Sequence, residues 1–99
     1  MGRNLDEEEV RAAELAVSHC FDVAGVRRIR AQAVIQYAKS SGLHRAEIKE
    51  ARKRLGVVSV NEEGVYWWIW PDGTEPGEVN RLKSEEWFKE CEKKRLRKY

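Results

Sequence analysis

The sequence predicts an α+β domain that is mainly helical, and three observations lead to this class. Apolar residues recur at helical spacing in several segments, and glycines separate these segments. Two short runs rich in valine and tryptophan, joined by a turn-like stretch, indicate a β-hairpin. The length of 99 residues is that of one domain with one modest core. Because no apolar run reaches the roughly 18 residues that cross a bilayer and no secretory leader is recognisable, we expect a cytoplasmic protein.

The first predicted helix starts near Asn4 or Asp6, since either residue can cap it. Acidic residues at 6–9 lie where the positive end of the helix dipole favours them. Apolar residues recur along one side of this helix at Val10, Ala13, Val17 and Phe21. Gly25 is the predicted end of the helix. Residues 26–30 are predicted to be a short extended segment, with a continuing helix as the competing interpretation.

The second predicted helix covers residues 31–40 and is followed by Gly42, which can take a positive φ without steric cost. The third runs from about Arg45 to Leu55 and ends at Gly56. Its inward-facing residues are predicted to be Leu43, Ile48, Ala51 and Leu55. Its outward-facing residues are predicted to be Arg45, Lys49, Arg52 and Lys53.

Residues 57–60 and 65–70 are the two predicted strands of the hairpin, joined by a turn at 61–64. Residues 72–83 are predicted to form a loop, because both prolines of the chain lie nearby. A basic helix is predicted to follow, so that the chain divides into a domain at 1–71, the loop, and a C-terminal helix at 84–99 that packs on the domain or extends from it.

Side chains on the second strand alternate, with Tyr66, Trp68 and Trp70 on one side and Val65, Trp67 and Ile69 on the other. We expect one set to close the core against the first and third helices, and the last helix to cover the other. Two alternatives stay open, which are stacking of single-stranded bases on the aromatic rings and a protein-binding surface.

The predicted order is helix, extended segment, helix, tight turn, helix and hairpin, which is the order of a winged helix. Within it, Ala38, Gly42, Leu43, Ile48 and Ala51 have the spacing of a helix-turn-helix, with a small residue at the crossing and a glycine in the turn. The sequence therefore predicts a three-helix helix-turn-helix core, a two-stranded β-hairpin wing and an extra C-terminal helix.

The segment GLHRAEIKEARKRLGVVSVNEEGVYWWIWP resembles the small C-terminal domains of phage and plasmid primase-helicases or replication-type ATPases. The matching residues are Gly42, Ala51, Lys53, Leu55, Gly56, Val57, Trp68 and Pro71. The resemblance covers less than half of the chain. It implies an accessory role in DNA binding or assembly during replication of a phage, plasmid or other mobile element, or in its control. It carries over no enzymatic activity, because no ATPase or primase portion is present.

The charge is unevenly distributed. Residues 26–56 hold nine arginines and lysines against two glutamates, a net charge of +7, whereas the whole chain has +2. Such a block is the expected footprint of a polyanion. We expect the third helix to enter the major groove of double-stranded DNA, with further phosphate contacts from the turn and from the segment before the second helix. The candidate DNA-contacting residues are Arg27, Arg28, Arg30, Ser41, His44, Arg45, Lys49, Arg52 and Lys53.

Other interpretations remain open. The charged side of the third helix can be an ordinary solvated face, with ion pairs along the helix between Glu47 and Arg54, Glu50 and Lys53, or Glu50 and Arg54. The basic tail at 93–98 can be a helix end, a phosphate-binding arm or part of a helix that pairs two copies. A protein-interaction or dimerisation module on the same scaffold is the alternative function. The histidines and cysteines lack metal-ligand spacing, and no phosphate loop or nucleophile–base pair is present, so we expect no metal, cofactor or catalysis.

Overall fold

The computed structural model describes residues 5–97, with side chains for residues 5–92. This part of the chain forms an α+β fold that is mainly helical, with four helices and one antiparallel sheet of three strands. The elements in chain order are α1 (Glu7–Ala24), β1 (Arg28–Arg30), α2 (Ala31–Ser40), α3 (Arg45–Leu55), β2 (Val58–Glu62), β3 (Val65–Ile69) and α4 (Pro76–Arg97). The predicted class is confirmed. Asn4 and the side chains of the basic tail at 93–98 lie outside the described residues.

Local signals in the sequence define both ends of α1. The Asp6 side chain accepts hydrogen bonds from the amides of Glu8 and Glu9, as expected of an N-cap. Gly25 ends the helix with φ of 67°, a left-handed conformation that costs glycine nothing. The chain then turns into β1, so the extended interpretation of this segment is confirmed.

The sheet has the strand order β1-β3-β2, and both pairings are antiparallel. Its hairpin turn consists of Glu63 and Gly64, which both have positive φ, as the tightest hairpin turns require. The Asn61 side chain accepts a hydrogen bond from the Gly64 amide at 3.0 Å and holds this turn. As a result β2 continues to Glu62, two residues beyond its predicted end.

The core lies between the helices α1, α2 and α3 and the inner face of the sheet. It consists of Val10, Ala13, Val17, Phe21, Ala31, Val34, Ala38, Ile48, Ala51, Val57, Trp68 and Trp70. The Trp70 ring packs against Phe21 of α1, with ring centroids 5.3 Å apart. The aromatic strand therefore closes the core, as predicted, although Tyr66 near the hairpin tip is 57% exposed.

The start of α4 differs from the prediction. The helix begins at Pro76, so the predicted loop at 72–83 is wrong from residue 76 onward. Proline favours the first position of a helix, because its missing N–H would have no partner there and its φ suits the helix. Gly77 lets the helix approach α1, since an added Cβ would lie 2.6 Å from the Asp22 carboxylate. That carboxylate also faces the positive end of the α4 dipole.

The helix α4 packs along α1. The Asn80 side chain donates to the Leu15 carbonyl and to the Ser18 hydroxyl, both at 2.9 Å, and Lys83 pairs with the buried Glu14 at 3.0 Å. The expectation that the last helix covers the outer face of the aromatic strand is therefore wrong. The helix α4 instead covers a side of α1 that the other elements leave exposed. None of the helices in the described region is both long and apolar enough to span a membrane.

The N-termini of α1 and α3 cap each other. The Glu9 carboxylate, three residues after the α1 cap, accepts the amide hydrogen of His44, the N-cap of α3, at 2.9 Å. The Glu47 carboxylate, three residues after His44, accepts the amide hydrogen of Asp6 at 3.2 Å. In a capping box the third residue of a helix reaches back to its own cap. Here each glutamate serves the other helix, and we call this arrangement the reciprocal cap.

Replacing Glu47 with alanine will lower the free energy of unfolding by about 1–3 kcal/mol, because it strands the Asp6 amide and leaves a void at a fully buried position. Urea unfolding followed by circular dichroism measures the change. Glu86→Ala, at an exposed position of α4, is the matched control and should stay within about 0.5 kcal/mol of the wild type. Equal effects for the two variants would contradict the structural role of Glu47.

Acid will weaken the fold partly through Glu9. Hydrogen bonds from the His44 amide and ring hold the pKa of Glu9 below its usual value of 4.5. Because the folded pKa is depressed, this stabilisation is present above about pH 4.5 and is lost as the pH falls through the lower, folded value. Urea midpoints between pH 7 and pH 3 should therefore fall less steeply for Glu9→Gln than for the wild type. Glu86→Gln should retain the wild-type slope, and a Glu9→Gln profile parallel to the wild type would refute this role.

Candidate nucleic-acid interface

One face of α3 presents cations to solvent. Its inward face buries Glu47, Ile48 and Ala51. Three cations on the opposite face, at a spacing of four residues, are all exposed, and we call them the basic stripe: Arg45, Lys49 and Lys53. A spacing of four places successive side chains one turn apart on the same side of a helix. The stripe therefore runs along the outward surface of α3.

The members of the basic stripe make no hydrogen bond or ion pair with the residues that the structure describes. Glu50, the nearest acid on α3, is instead bound to Arg54 at 3.1 Å. The predicted Glu50–Arg54 pair is thus present, and it leaves Lys53 without a carboxylate. Glu47 does not reach Arg54 as one alternative supposed, because its carboxylate lies in the reciprocal cap.

Arg52 was predicted to be in the exposed stripe, and this placement is wrong. Its side chain is half-buried, donates to the Val57 carbonyl at 2.8 Å and lies 5.8 Å from the Trp68 ring. The reason is its place on the helix, one turn after the buried Ile48, on the side that faces the sheet. Arg52 fastens the end of α3 to the start of β2.

Arg54 also belongs to the scaffold. Besides Glu50 it binds Glu7 at the start of α1, with nitrogen–oxygen distances of 2.6 and 2.8 Å. The Arg54 guanidinium lowers the pKa of Glu7, and the two carboxylates raise the pKa of Arg54 further above its usual value. This pair links α3 to α1 at the surface.

Arg27 does not lie free for phosphate contacts. Its guanidinium donates to the carbonyls of Pro71 and Thr74 at 3.1 and 3.0 Å and approaches the Glu75 carboxylate at 3.3 Å. Arg27 therefore closes the loop between β3 and α4.

Arg28 and Arg30 lie on the outer face of the sheet. In the strand register Arg28 is opposite Ile69 and Arg30 is opposite Trp67. The two guanidinium carbons lie 4.3 and 5.7 Å from the centre of the Trp67 ring, and Arg28 continues across it to pair with Glu62 of β2. Trp68, which Arg52 of α3 approaches, lies on the opposite, inner face of the sheet. The helix α3 and its basic stripe are therefore on the other side of the sheet from Arg28 and Arg30, and the structure does not bring the two groups together. Their long side chains cover Trp67, which the last helix was expected to do.

The residues at the start of α3 have different surroundings. Ser41 is exposed in the turn, and the neighbouring Gly42 has the predicted positive φ, at 88°. The His44 side chain is 67% exposed, and its Nδ1 lies 2.8 Å from the Glu9 carboxylate. His44 thus anchors the helix start rather than standing free.

A cluster that the sequence prediction missed consists of Glu9, His44 and Glu47, whose ligand-type atoms lie within 4.8 Å of one another. Such groups can hold a metal ion. Here, however, the carboxylates accept amide hydrogens at two helix N-termini, whose dipoles oppose a bound cation. Capping therefore accounts for the cluster. The signal in the sequence was a glutamate three residues after each helix cap.

In comparisons with known protein families, curated proteins and solved structures, the chain has no match. The resemblance to the C-terminal domains of replication ATPases therefore remains a prediction from the residues quoted above.

Arg52→Ala will destabilise the fold by about 1–2 kcal/mol, because it removes a charged donor from the Val57 carbonyl and a cation from beside Trp68. Lys53→Ala, which removes an adjacent cation from the exposed surface, should change the unfolding free energy by less than about 0.5 kcal/mol. Urea unfolding followed by tryptophan fluorescence compares the two. If both changes were equally small, the contacts of Arg52 would have no structural weight.

Proposed function

We propose that this protein is a non-enzymatic, winged-helix DNA-binding domain that contacts double-stranded DNA through the basic stripe on α3. The observation that carries the proposal is the division of the basic block. Arg27, Arg28, Arg52 and Arg54 are engaged by the protein itself, whereas Arg45, Lys49 and Lys53 remain available on one helix face. A row of cations with no internal role suits an external polyanion.

The arrangement of elements supports the winged-helix part of the proposal. The order α1, β1, α2, α3, β2, β3 is that of a winged helix, and β1 adds to the hairpin as a third strand beside β3. The helices α2 and α3 are joined by a short turn at Gly42, with the small, buried Ala38 near their crossing. In this fold α3 is the helix that enters the groove.

The dimensions of α3 support contact with a duplex. At 1.5 Å per residue, the basic stripe extends about 12 Å, which is close to the width of the major groove. A helix lying in that groove can place its lysines against the phosphates on the groove walls. The hairpin contributes little, because Glu62 and Glu63 give its end negative charge. The stripe, and not the wing, is therefore the main contact in this proposal.

The biological setting rests on the resemblance alone. It suggests an accessory module for replication of a phage, plasmid or other mobile element, or for its control, in the cytoplasm. The alternative function, a protein-interaction or dimerisation module, is favoured by one observation, the exposure of Phe88 on α4 at 68%. The aromatic strand lends it less weight, since Trp68 and Trp70 are buried and Trp67 lies beneath two arginines.

Removing two lysines from the stripe will weaken DNA binding and its salt dependence. For Lys49→Gln/Lys53→Gln, the slope of log affinity against log salt should fall by about 0.9 for each lysine that contacts a phosphate. Fluorescence anisotropy with a random-sequence 20-base-pair duplex over a salt series measures this slope.

The matched control is Arg81→Gln/Lys89→Gln, which removes the same charge from exposed positions of α4. This variant should bind DNA as the wild type does, apart from a small long-range effect of net charge. Equal losses in the two double variants would show that the basic stripe is not the contact surface. Absence of wild-type binding at low salt would reject the DNA-binding proposal and favour the protein-interaction module.

A further inference from the structure

We propose that the first turn of α3 reads two neighbouring base pairs, with Arg45 recognising a guanine and Ala46 contacting the methyl group of a thymine. This inference rests on the proposed DNA-binding function and adds sequence preference to it. It divides the exposed face of α3 into base-reading residues at its start and phosphate-binding lysines further along.

Arg45 is placed for base recognition. It is the first residue of α3, it is exposed, and its guanidinium has no partner among the described residues. The N-terminal residues of a groove-binding helix are those that reach base edges. An arginine fork matches the two acceptors of guanine, O6 and N7, better than any other base edge in the major groove.

The residue before Arg45 fixes its position. His44 is held by Glu9 through both its amide, at 2.9 Å, and its ring, at 2.8 Å. The backbone that carries Arg45 is therefore in place before DNA binds. Such preorganisation reduces the ordering cost of a specific contact.

Ala46 is an exposed methyl group beside the basic stripe. Its small size allows a base edge to approach the helix closely, and alanine contacts to the thymine methyl are a common form of base reading. Glu50, which lies one turn beyond Ala46, is bound by Arg54 and half-buried, so its charge is partly neutralised beside an approaching strand. Because Arg45 and Ala46 are consecutive, the two bases should lie at adjacent steps.

The test starts with selection of duplexes from a random library by the full chain. The enriched motif should contain a guanine adjacent to a thymine. Replacing that guanine with 7-deazaguanine, which lacks N7, should weaken wild-type binding by at least roughly five-fold. Replacing the thymine with uracil, which lacks the methyl group, should weaken it by about three- to four-fold.

Three variants assign these effects to residues. Arg45→Ala should lose the penalty for 7-deazaguanine, and Arg45→Lys should lose most of it while retaining the salt slope, because lysine keeps the charge but not the fork. Ala46→Ser should lose the penalty for uracil only. Circular dichroism melts of each variant establish that the fold is intact.

The outcomes separate this inference from the proposed function. Salt-dependent DNA binding without an enriched motif, or with equal penalties in wild type and variants, would overturn base reading and leave DNA binding standing. Absence of DNA binding by the wild type would overturn both. A motif whose guanine depends on another residue would overturn the role of Arg45.

Discussion

The reciprocal cap between α1 and α3 holds the basic stripe in place. A helix of 11 residues is marginal on its own in water, so α3 depends on tertiary contacts. Its first turn is bound through Glu9 and Glu47, and its last turn through Arg52 and the Val57 carbonyl. The two carboxylates lie close together, but two helix N-termini supply the positive potential that lets them do so. The outward direction of the stripe follows from these anchors.

Arginine and lysine have different tasks in this fold. The cations that bind several protein oxygens at once are arginines: Arg27 closes a loop, Arg28 crosses the sheet, and Arg54 joins two helices. A planar fork with several donors suits such bridges, whereas lysine is a single, strongly hydrated charge. The exposed stripe is accordingly richer in lysine, and Arg45 is its one arginine. That contrast separates the cations that hold the fold together from those of the proposed contact surface more clearly than net charge does.

Periodicity and capping signals in the sequence were enough to predict α2, α3 and both ends of α1. They also placed Trp68 and Trp70 on one side of the strand and Trp67 on the other, because alternation along a strand depends only on local geometry. They did not show which of the two sides would be buried. What they did not reveal was which surface each element would meet. The start of α4 was missed because Pro76 resembles a loop residue until it is seen at the first position of a helix. The surroundings of Arg52 and Glu47 were predicted wrongly because their partners lie outside α3, next to the sheet and at the start of α1. The sequence of α3 alone carries no information about these partners.

The contacts that hold α1 join residues far apart in the sequence, and this affects the order in which the chain can fold. The two hydrogen bonds of the reciprocal cap join residues 35 and 41 positions apart, and Arg11 of α1 reaches Glu90 of α4 across 79 positions. Closing such long loops costs conformational entropy before the contacts between their ends can form. During synthesis from the N-terminus, α1 must therefore remain partly uncovered until α3 has emerged, and its second side until α4 follows. In a growing chain, α3 can therefore dock on α1 in its final orientation while the side of α1 that α4 later covers is still exposed to other polypeptides.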